Sequence, residues 1–202
     1  MKKLSTNPKV LLTTCYRRFR GDYWDLVGGV VYNLPRVAIP RRSCLGLRFI
    51  KQNVPQVEIL EHPTWREYVN KLKEGWDVVG FSLFENEVGE ILQMAEEAHR
   101  QGVGELWAGG YGAMDPAIAE NMDKVVYGAG EDAVARLFGY RVREITHPVM
   151  AWAVDFMPGH IHYMKMGLIY TQHGCPFKCT FCQTPVFDRK SPPITLESIE
   201  RA

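Results

Sequence analysis

Three cysteines near the C-terminal end of this 202-residue chain are the residues best suited to chemistry. Cys175, Cys179 and Cys182 follow the spacing C-x3-C-x2-C, with Phe181 directly before the last of them. Thiolates at this spacing can face one metal centre and leave one coordination position unclaimed. Because soft thiolates select iron–sulfur clusters or zinc, and an open position suits reactivity, the pattern favours a reactive iron–sulfur cluster over a closed structural site.

Zinc and metal-free thiols are the alternatives to a cluster at this position. A structural zinc site normally has four protein ligands. The nearest candidate for a fourth ligand is His173, which stands only two residues before Cys175 and is too close for easy tetrahedral closure. Cys15 and Cys44 are remote in sequence and can reach the site only through the fold.

Short apolar runs alternate with amphipathic stretches between residues 8 and 139, which predicts strands alternating with helices. The predicted strands are 10–14, 57–60, 77–82, 105–108 and 124–127. Helices are predicted over 45–53, over 65–72 with Thr64 as N-cap, around 91–98, from Asp115-Pro116, and over 131–138. This alternation predicts an α/β fold with a five-stranded parallel Rossmann or flavodoxin-like sheet.

A parallel sheet of this kind binds ligands at the carboxyl ends of its strands, near the switch in strand order. In a flavodoxin-like order, the loops after the first, third and fourth strands meet there. These loops are 15–21, 84–89 and 109–114. The sequence therefore predicts a ligand cleft between them.

The chain changes character after residue 139. Pro148, Pro158 and Gly159 punctuate residues 140–166, which we interpret as a linker. A new strand is predicted over 167–171, running into the cysteine loop, and a helix is predicted to begin at Thr195 as cap. The predicted domains are therefore 1–139, a linker over 140–166, and the start of a second domain over 167–202.

The segment from Thr171 to Cys182 resembles the cluster loop of the radical S-adenosylmethionine enzymes, whose motif is C-x3-C-x-aromatic-C. The resemblance implies a 4Fe-4S cluster on Cys175, Cys179 and Cys182, with S-adenosylmethionine on the fourth iron and Phe181 near its adenine. It further implies reductive formation of a 5′-deoxyadenosyl radical with electrons from a donor such as ferredoxin or flavodoxin. In that family the loop follows the first strand of a partial (β/α) barrel, so the chain is expected to be incomplete and to show little turnover.

Residues 8–139 are similar to the cobalamin-binding-type Rossmann domain that precedes the radical domain in one subgroup of that family. The similarity is carried by residues 77–82, by Gly109-Gly110 and by residues 125–131. It implies that Gly109, Gly110 and Gly112 admit a nucleotide tail and that the Ser82 hydroxyl hydrogen bonds a buried ligand nitrogen. Loop 15–21 lacks the Asp and the His of the D-x-H-x-x-G motif, so we expect any cobalamin to bind without histidine ligation.

Composition indicates the compartment and the kinds of partner to expect for this chain. The net charge is +1, no apolar run approaches the ~20 residues of a membrane span, and the five cysteines fit a reduced cytoplasm better than a disulfide framework. We expect small-molecule cofactors as partners and neither membrane nor nucleic acid. A group of arginines is interpreted as a solvated face: Arg17, Arg18, Arg20, Arg36, Arg41, Arg42 and Arg48.

Two functions of different class follow from these patterns. The leading hypothesis is a radical S-adenosylmethionine enzyme with a cobalamin-binding-type domain. The alternative is a non-catalytic Rossmann module for cobalamin or a nucleotide, with a vestigial cysteine tail. A zinc-stabilised interaction module is a third possibility.

Overall fold

The structure is a computed structural model that describes residues 7–16, 44–157, 160–167, 169, 171, 174, 175, 177, 179–184 and 195–200. Several sequence predictions fall outside these residues. They concern most of loop 15–21, all of the grouped arginines except Arg48, and His173.

A five-stranded, all-parallel sheet forms the centre of the fold, in the order β2-β1-β3-β4-β5. Its strands are β1 (Val10–Thr14), β2 (Glu58–Leu60), β3 (Val78–Ser82), β4 (Glu105–Gly109) and β5 (Lys124–Val126). This is the flavodoxin-like order, so the predicted α/β fold class is confirmed. The strand order reverses at β1, where β2 lies on one side and β3 on the other, and this places the switch point between β1 and β3.

Helices cover both faces of the sheet. They are α1 (Leu45–Asn53), α2 (Trp65–Leu72), α3 (Val88–Arg100), α4 (Pro116–Asn121) and α5 (Glu131–Ala135). Alternate residues of β1 point to opposite faces, so Leu11 packs with Tyr68 and Met94 under α2, α3 and α4. Leu12 packs instead with Leu47 and Val134, under α1 and α5.

Side-chain caps fix the helix ends that the sequence predicted. The Thr64 hydroxyl accepts from the Glu67 N–H at 3.2 Å while the Glu67 carboxylate accepts from the Thr64 N–H at 2.7 Å, a reciprocal capping box. The Asp115 carboxylate accepts from the Ala117 N–H at 2.8 Å and begins α4. Gly139, with φ at 80°, ends the short 3-10 helix that follows α5.

A β-hairpin occupies much of the range in which the sequence predicted a linker. Strands β6 (Val149–Met157) and β7 (His160–Gly167) pair antiparallel. The two strand patterns flank Pro158-Gly159, a common turn pair that we interpreted as a linker mark. A hairpin can still join two domains, so the domain limits stay predictions.

The cysteine segment begins differently from the prediction. Gly167 is the last residue of β7, and Ile169 and Thr171, the other described residues of the predicted strand 167–171, lie outside any strand. Helix α6 (Leu196–Glu200) follows Thr195, where the sequence predicted a helix start. In the described ranges no helix has the length and apolarity needed to cross a membrane.

Candidate functional site

A cavity of about 430 Å³ lies at the carboxyl edge of the sheet, on the face covered by α1 and α5. Ser82, Gly109 and Val126, the last residues of β3, β4 and β5, all line it. Its remaining wall is largely apolar and is made by Leu12, Leu47, Phe49, Ile50, Trp107 and Val134. A flat, weakly polar group can be buried here, since apolar surface on both sides excludes water.

Gly80 lines the cavity where the side chain of Leu12 lies close to β3. A Cβ placed on Gly80 would lie 2.6 Å from Cδ2 of Leu12, closer than any normal contact. Because Gly80 has no side chain, Leu12 can lie across the middle of β3. The lack of a side chain at Gly80 therefore lets Leu12 form this part of the cavity wall.

The glycines predicted to admit a ligand differ in what they do. Gly109 lines the cavity, and a Cβ there would meet the Val126 carbonyl oxygen at an ordinary 3.5 Å. Gly110 also lines it, but has φ at 96° and its Cβ would lie 2.5 Å from the Leu83 carbonyl oxygen. Gly112 is not among the cavity-lining residues, and its Cβ would lie 2.3 Å from the Phe84 carbonyl oxygen. Gly110 and Gly112 thus serve the close packing of the loops after β3 and β4.

Ser82 lies half-buried at the end of β3, beside the thiol of Cys44. Their Oγ and Sγ atoms are 3.5 Å apart. Burial raises the pKa of the Cys44 thiol, so the group is neutral near pH 7. The pair presents a hydroxyl at the cavity wall that can donate to or accept from a ligand.

Glu131 is the buried acidic residue of the cavity. Its side chain lines the cavity and is 4% exposed. Burial raises the pKa of this carboxyl to about 7. Its Oε2 atom is buried and finds no hydrogen-bond partner among the residues that the structure describes.

Both ends of the cysteine segment reach the cavity. Gly174, directly before Cys175, and Thr184, two residues after Cys182, are cavity-lining residues. The Thr184 hydroxyl lies 3.2 Å from the Tyr111 hydroxyl, which joins the segment to the loop after β4. The cysteine segment and the cavity are therefore neighbours. Of the three loops predicted to form the ligand cleft, only 109–114 lines the cavity among the described residues.

The three thiols do not form a metal-ion site among the described residues. Cys175 and Cys179 are exposed and Cys182 is half-buried. Among the described residues, which include all three cysteines, no group of three His, Cys, Asp or Glu side chains is placed to hold a metal ion. Phe181 is 89% exposed. The donor chemistry suits a cluster while this arrangement does not form its site, so the ligand roles of the cysteines stay predictions.

The sequence predicted that the site lies at the carboxyl edge of the sheet, but it did not identify all the residues that line the cavity. It singled out Ser82, Gly109 and Gly110, which the structure brings to the cavity. It placed Glu131 in the similar segment 125–131 and at the start of the last helix but gave it no role at the site, although an acidic residue directly after Gly128-Ala129-Gly130 was a usable signal. Trp107 carries no local mark, because its place in the cavity depends on the helices packed above it.

Comparison with known proteins gives several solved structures, including a cobalamin-binding protein and a methyltransferase. No protein-family model and no curated protein matches the chain. A cobalamin-binding protein from Desulfitobacterium hafniense DCB-2 is 15% identical with a TM-score of 0.42, over 66% of this chain and 60% of that one. The radical S-adenosylmethionine methyltransferase TsrM from Kitasatospora setae, solved with its tryptophan substrate and a cofactor analogue, is 19% identical with a TM-score of 0.45, over 70% of this chain and 28% of that one. The chain spans less than two thirds of the length of either protein.

Proposed function

We propose that the chain binds cobalamin, with the heterocycle of the nucleotide tail buried in the cavity between the sheet and helices α1 and α5. The observation that carries this proposal is the cavity itself, an apolar space at the carboxyl edge and switch point of a parallel sheet. Its volume of about 430 Å³ is at the lower end of small-molecule sites, which span about 300–1,000 Å³. That volume accommodates a heterocycle with its sugar and leaves the corrin ring outside, over the carboxyl edge.

The position of the similar segments supports the same ligand. Each of the three segments that carry the resemblance to cobalamin-binding domains contributes to the cavity wall: 77–82, 109–110 and 125–131. A tail buried in the cavity is released from cobalt, so cobalamin would be held in its base-off form. Because loop 15–21 has no histidine, this loop would supply no imidazole to the cobalt.

Titration of the 202-residue chain with hydroxocobalamin tests this function. We expect the absorption change of base-off cobalamin, with a matched loss in Gly109→Leu, whose side chain enters the cavity. Gly89→Leu is the control, because Gly89 is exposed in the first turn of α3 and has no atom within 4 Å of its Cβ position. An unchanged cobalamin spectrum with the unaltered chain would reject the proposal.

A radical S-adenosylmethionine function is the second candidate, and the specific observation favouring it is the C-x3-C-x2-C motif beside the cavity. Cys175, Cys179 and Cys182 would hold a 4Fe-4S cluster after the loop rearranges. That cluster, when bound, supplies one-electron reductive cleavage of S-adenosylmethionine, with electrons from a ferredoxin or flavodoxin. The closeness of Gly174 and Thr184 to the cavity would place this chemistry next to the bound cobalamin.

Anaerobic reconstitution with iron and sulfide separates the candidates. An iron–sulfur absorption band that disappears in Cys179→Ala supports the radical function. Cobalamin binding with no such band supports the non-catalytic module. One zinc ion per chain after aerobic purification, lost in the same variant, supports a zinc-stabilised module instead.

A further inference from the structure

Glu131 is a buried carboxyl whose second oxygen lacks a partner. The side chain is 4% exposed, and Oε2 is buried without a hydrogen bond to any described residue. Buried polar atoms in folded proteins are nearly always hydrogen-bonded, and an unsatisfied one is destabilising. An atom of this kind at the wall of a cavity is explained if a bound molecule supplies the missing partner.

The arginines nearest in sequence are committed elsewhere. Arg136 and Arg141 both form ion pairs with Asp132, at 2.6 Å and 2.7 Å. The side chain of Glu131 hydrogen bonds its own backbone N–H instead. Oε2 is left without a partner among the residues that the structure describes.

Most of the other side chains that line the cavity are apolar. Leu12, Leu47, Trp107 and Val134 offer only apolar contacts and the indole edge, and the Trp107 N–H already donates to Glu105 at 2.9 Å. The other polar side chains of the wall already have neighbours: the Ser82 hydroxyl lies beside the Cys44 thiol, and the Tyr111 and Thr184 hydroxyls lie 3.2 Å from each other. A ligand nitrogen deep in the cavity can therefore hydrogen bond the unsatisfied carboxyl of Glu131.

We infer that Glu131 determines which ligand the cavity accepts, by hydrogen bonding a nitrogen of the buried heterocycle through Oε2. The inference rests on the proposed function, that a heterocycle occupies the cavity. With a pKa of about 7, the carboxyl can donate its proton to an unprotonated ring nitrogen. In its ionised form it can accept from a ring N–H. Either pairing shares one proton, so the cavity favours nitrogen heterocycles over hydrocarbons of the same shape.

Two probes of one shape test the inference on the full 202-residue chain. Benzimidazole carries two ring nitrogens, and indene has the same fused frame with none. Ligand-observed NMR titration is expected to give tighter binding of benzimidazole than of indene by about tenfold, the effect of one buried hydrogen bond to an acidic group. Glu131→Leu should remove this preference by weakening benzimidazole and strengthening indene.

Three further variants complete the design. Glu131→Gln keeps a hydrogen-bonding group and should retain the preference, while Glu120→Gln alters an exposed carboxyl and should change neither affinity. Ser82→Ala removes the other polar group. Circular dichroism of each variant checks folding. If Glu131→Leu does not fold, Glu131→Gln provides the test, because this variant must retain the preference for benzimidazole over indene.

The outcomes distinguish the inference from the function on which it rests. Binding of both probes with a preference that survives Glu131→Leu, or that disappears only in Ser82→Ala, overturns the role of Glu131 and leaves the cavity as a heterocycle site. Loss of the preference in Glu131→Gln would equally overturn it. If the unaltered chain binds neither probe, the heterocycle site fails and the inference fails with it.

Discussion

Glu131 is a residue whose burial lowers the stability of the folded chain as the pH rises above 4.5. In the unfolded chain its carboxyl has an ordinary pKa of 4.5, and burial raises the pKa in the folded state to about 7. Below pH 4.5 both states are protonated and the group has no effect on stability. Between pH 4.5 and 7 the unfolded state loses its proton first, so stability falls with rising pH and levels off above the folded-state value.

Glu131→Gln should therefore abolish a pH-dependent loss of stability. Relative to the unaltered chain without ligand, we expect the variant to gain up to about 3 kcal/mol in unfolding free energy between pH 4.5 and pH 8. Urea denaturation at several pH values measures this difference, and any constant effect of the amide cancels in the slope. Parallel curves for the two proteins would show that folding does not raise the pKa of the Glu131 carboxyl.

Gly112 serves loop packing, and its replacement tests that role. In Gly112→Ala the new Cβ would lie 2.3 Å from the Phe84 carbonyl oxygen, a backbone atom that cannot move alone. We expect a loss of about 2–4 kcal/mol in unfolding free energy. Gly89→Ala, in α3 with open space, should instead gain up to about 1 kcal/mol. Equal effects of the two substitutions in denaturant titrations would contradict the packing role.

At the scale of elements, a hydrogen bond between Tyr111 and Thr184 connects the cysteine segment to the loop after β4. The Tyr111 and Thr184 hydroxyls are 3.2 Å apart, and Cys182 lies half-buried close by in sequence. Thr184→Val removes the hydroxyl at nearly constant shape and should release this end of the segment.

Release of the segment should expose Cys182 to alkylation. A hydrogen bond contributes about 1 kcal/mol, so Thr184→Val should speed labelling of Cys182 by about fivefold. Cys175 and Cys179 are already exposed and serve as internal controls whose rates stay the same. Mass spectrometry of labelled peptides gives the three rates separately, and an unchanged Cys182 rate would mean that the hydroxyl contact does not hold the segment.

The elements of the sheet domain were predictable because local signals agreed with the fold. The helix 45–53 and the first strand are found at the predicted residues, and Thr64 and Gly139 act as the predicted cap and stop. The hairpin of β6 and β7 was missed because Pro158 and Gly159 mark a turn and a linker alike. Only the pairing of the two strands tells these apart, and pairing is a contact between segments.

At the scale of the whole molecule, a ligand that binds in the cavity should raise the free energy of unfolding. A molecule that binds the folded state alone adds about 2.7 kcal/mol of stability at a concentration of 100 times its dissociation constant. Hydroxocobalamin should therefore raise the unfolding temperature of the unaltered chain. The same addition should leave Gly109→Leu unchanged, since its cavity is filled. A thermal shift of equal size in both proteins would place the binding elsewhere.

The sequence by itself determined the parallel sheet and the edge of that sheet at which the cavity lies, because buried strands, caps and turns are encoded by neighbouring residues. It also singled out three cysteines with the right chemistry for a cluster, although the described residues form no metal-ion site. Only the tertiary structure decided that Glu131 and Trp107 share a cavity with Ser82, and that Gly112 packs loops rather than facing a ligand. The reason is physical: burial and an unsatisfied carboxyl arise from packing between distant segments, which no local pattern records.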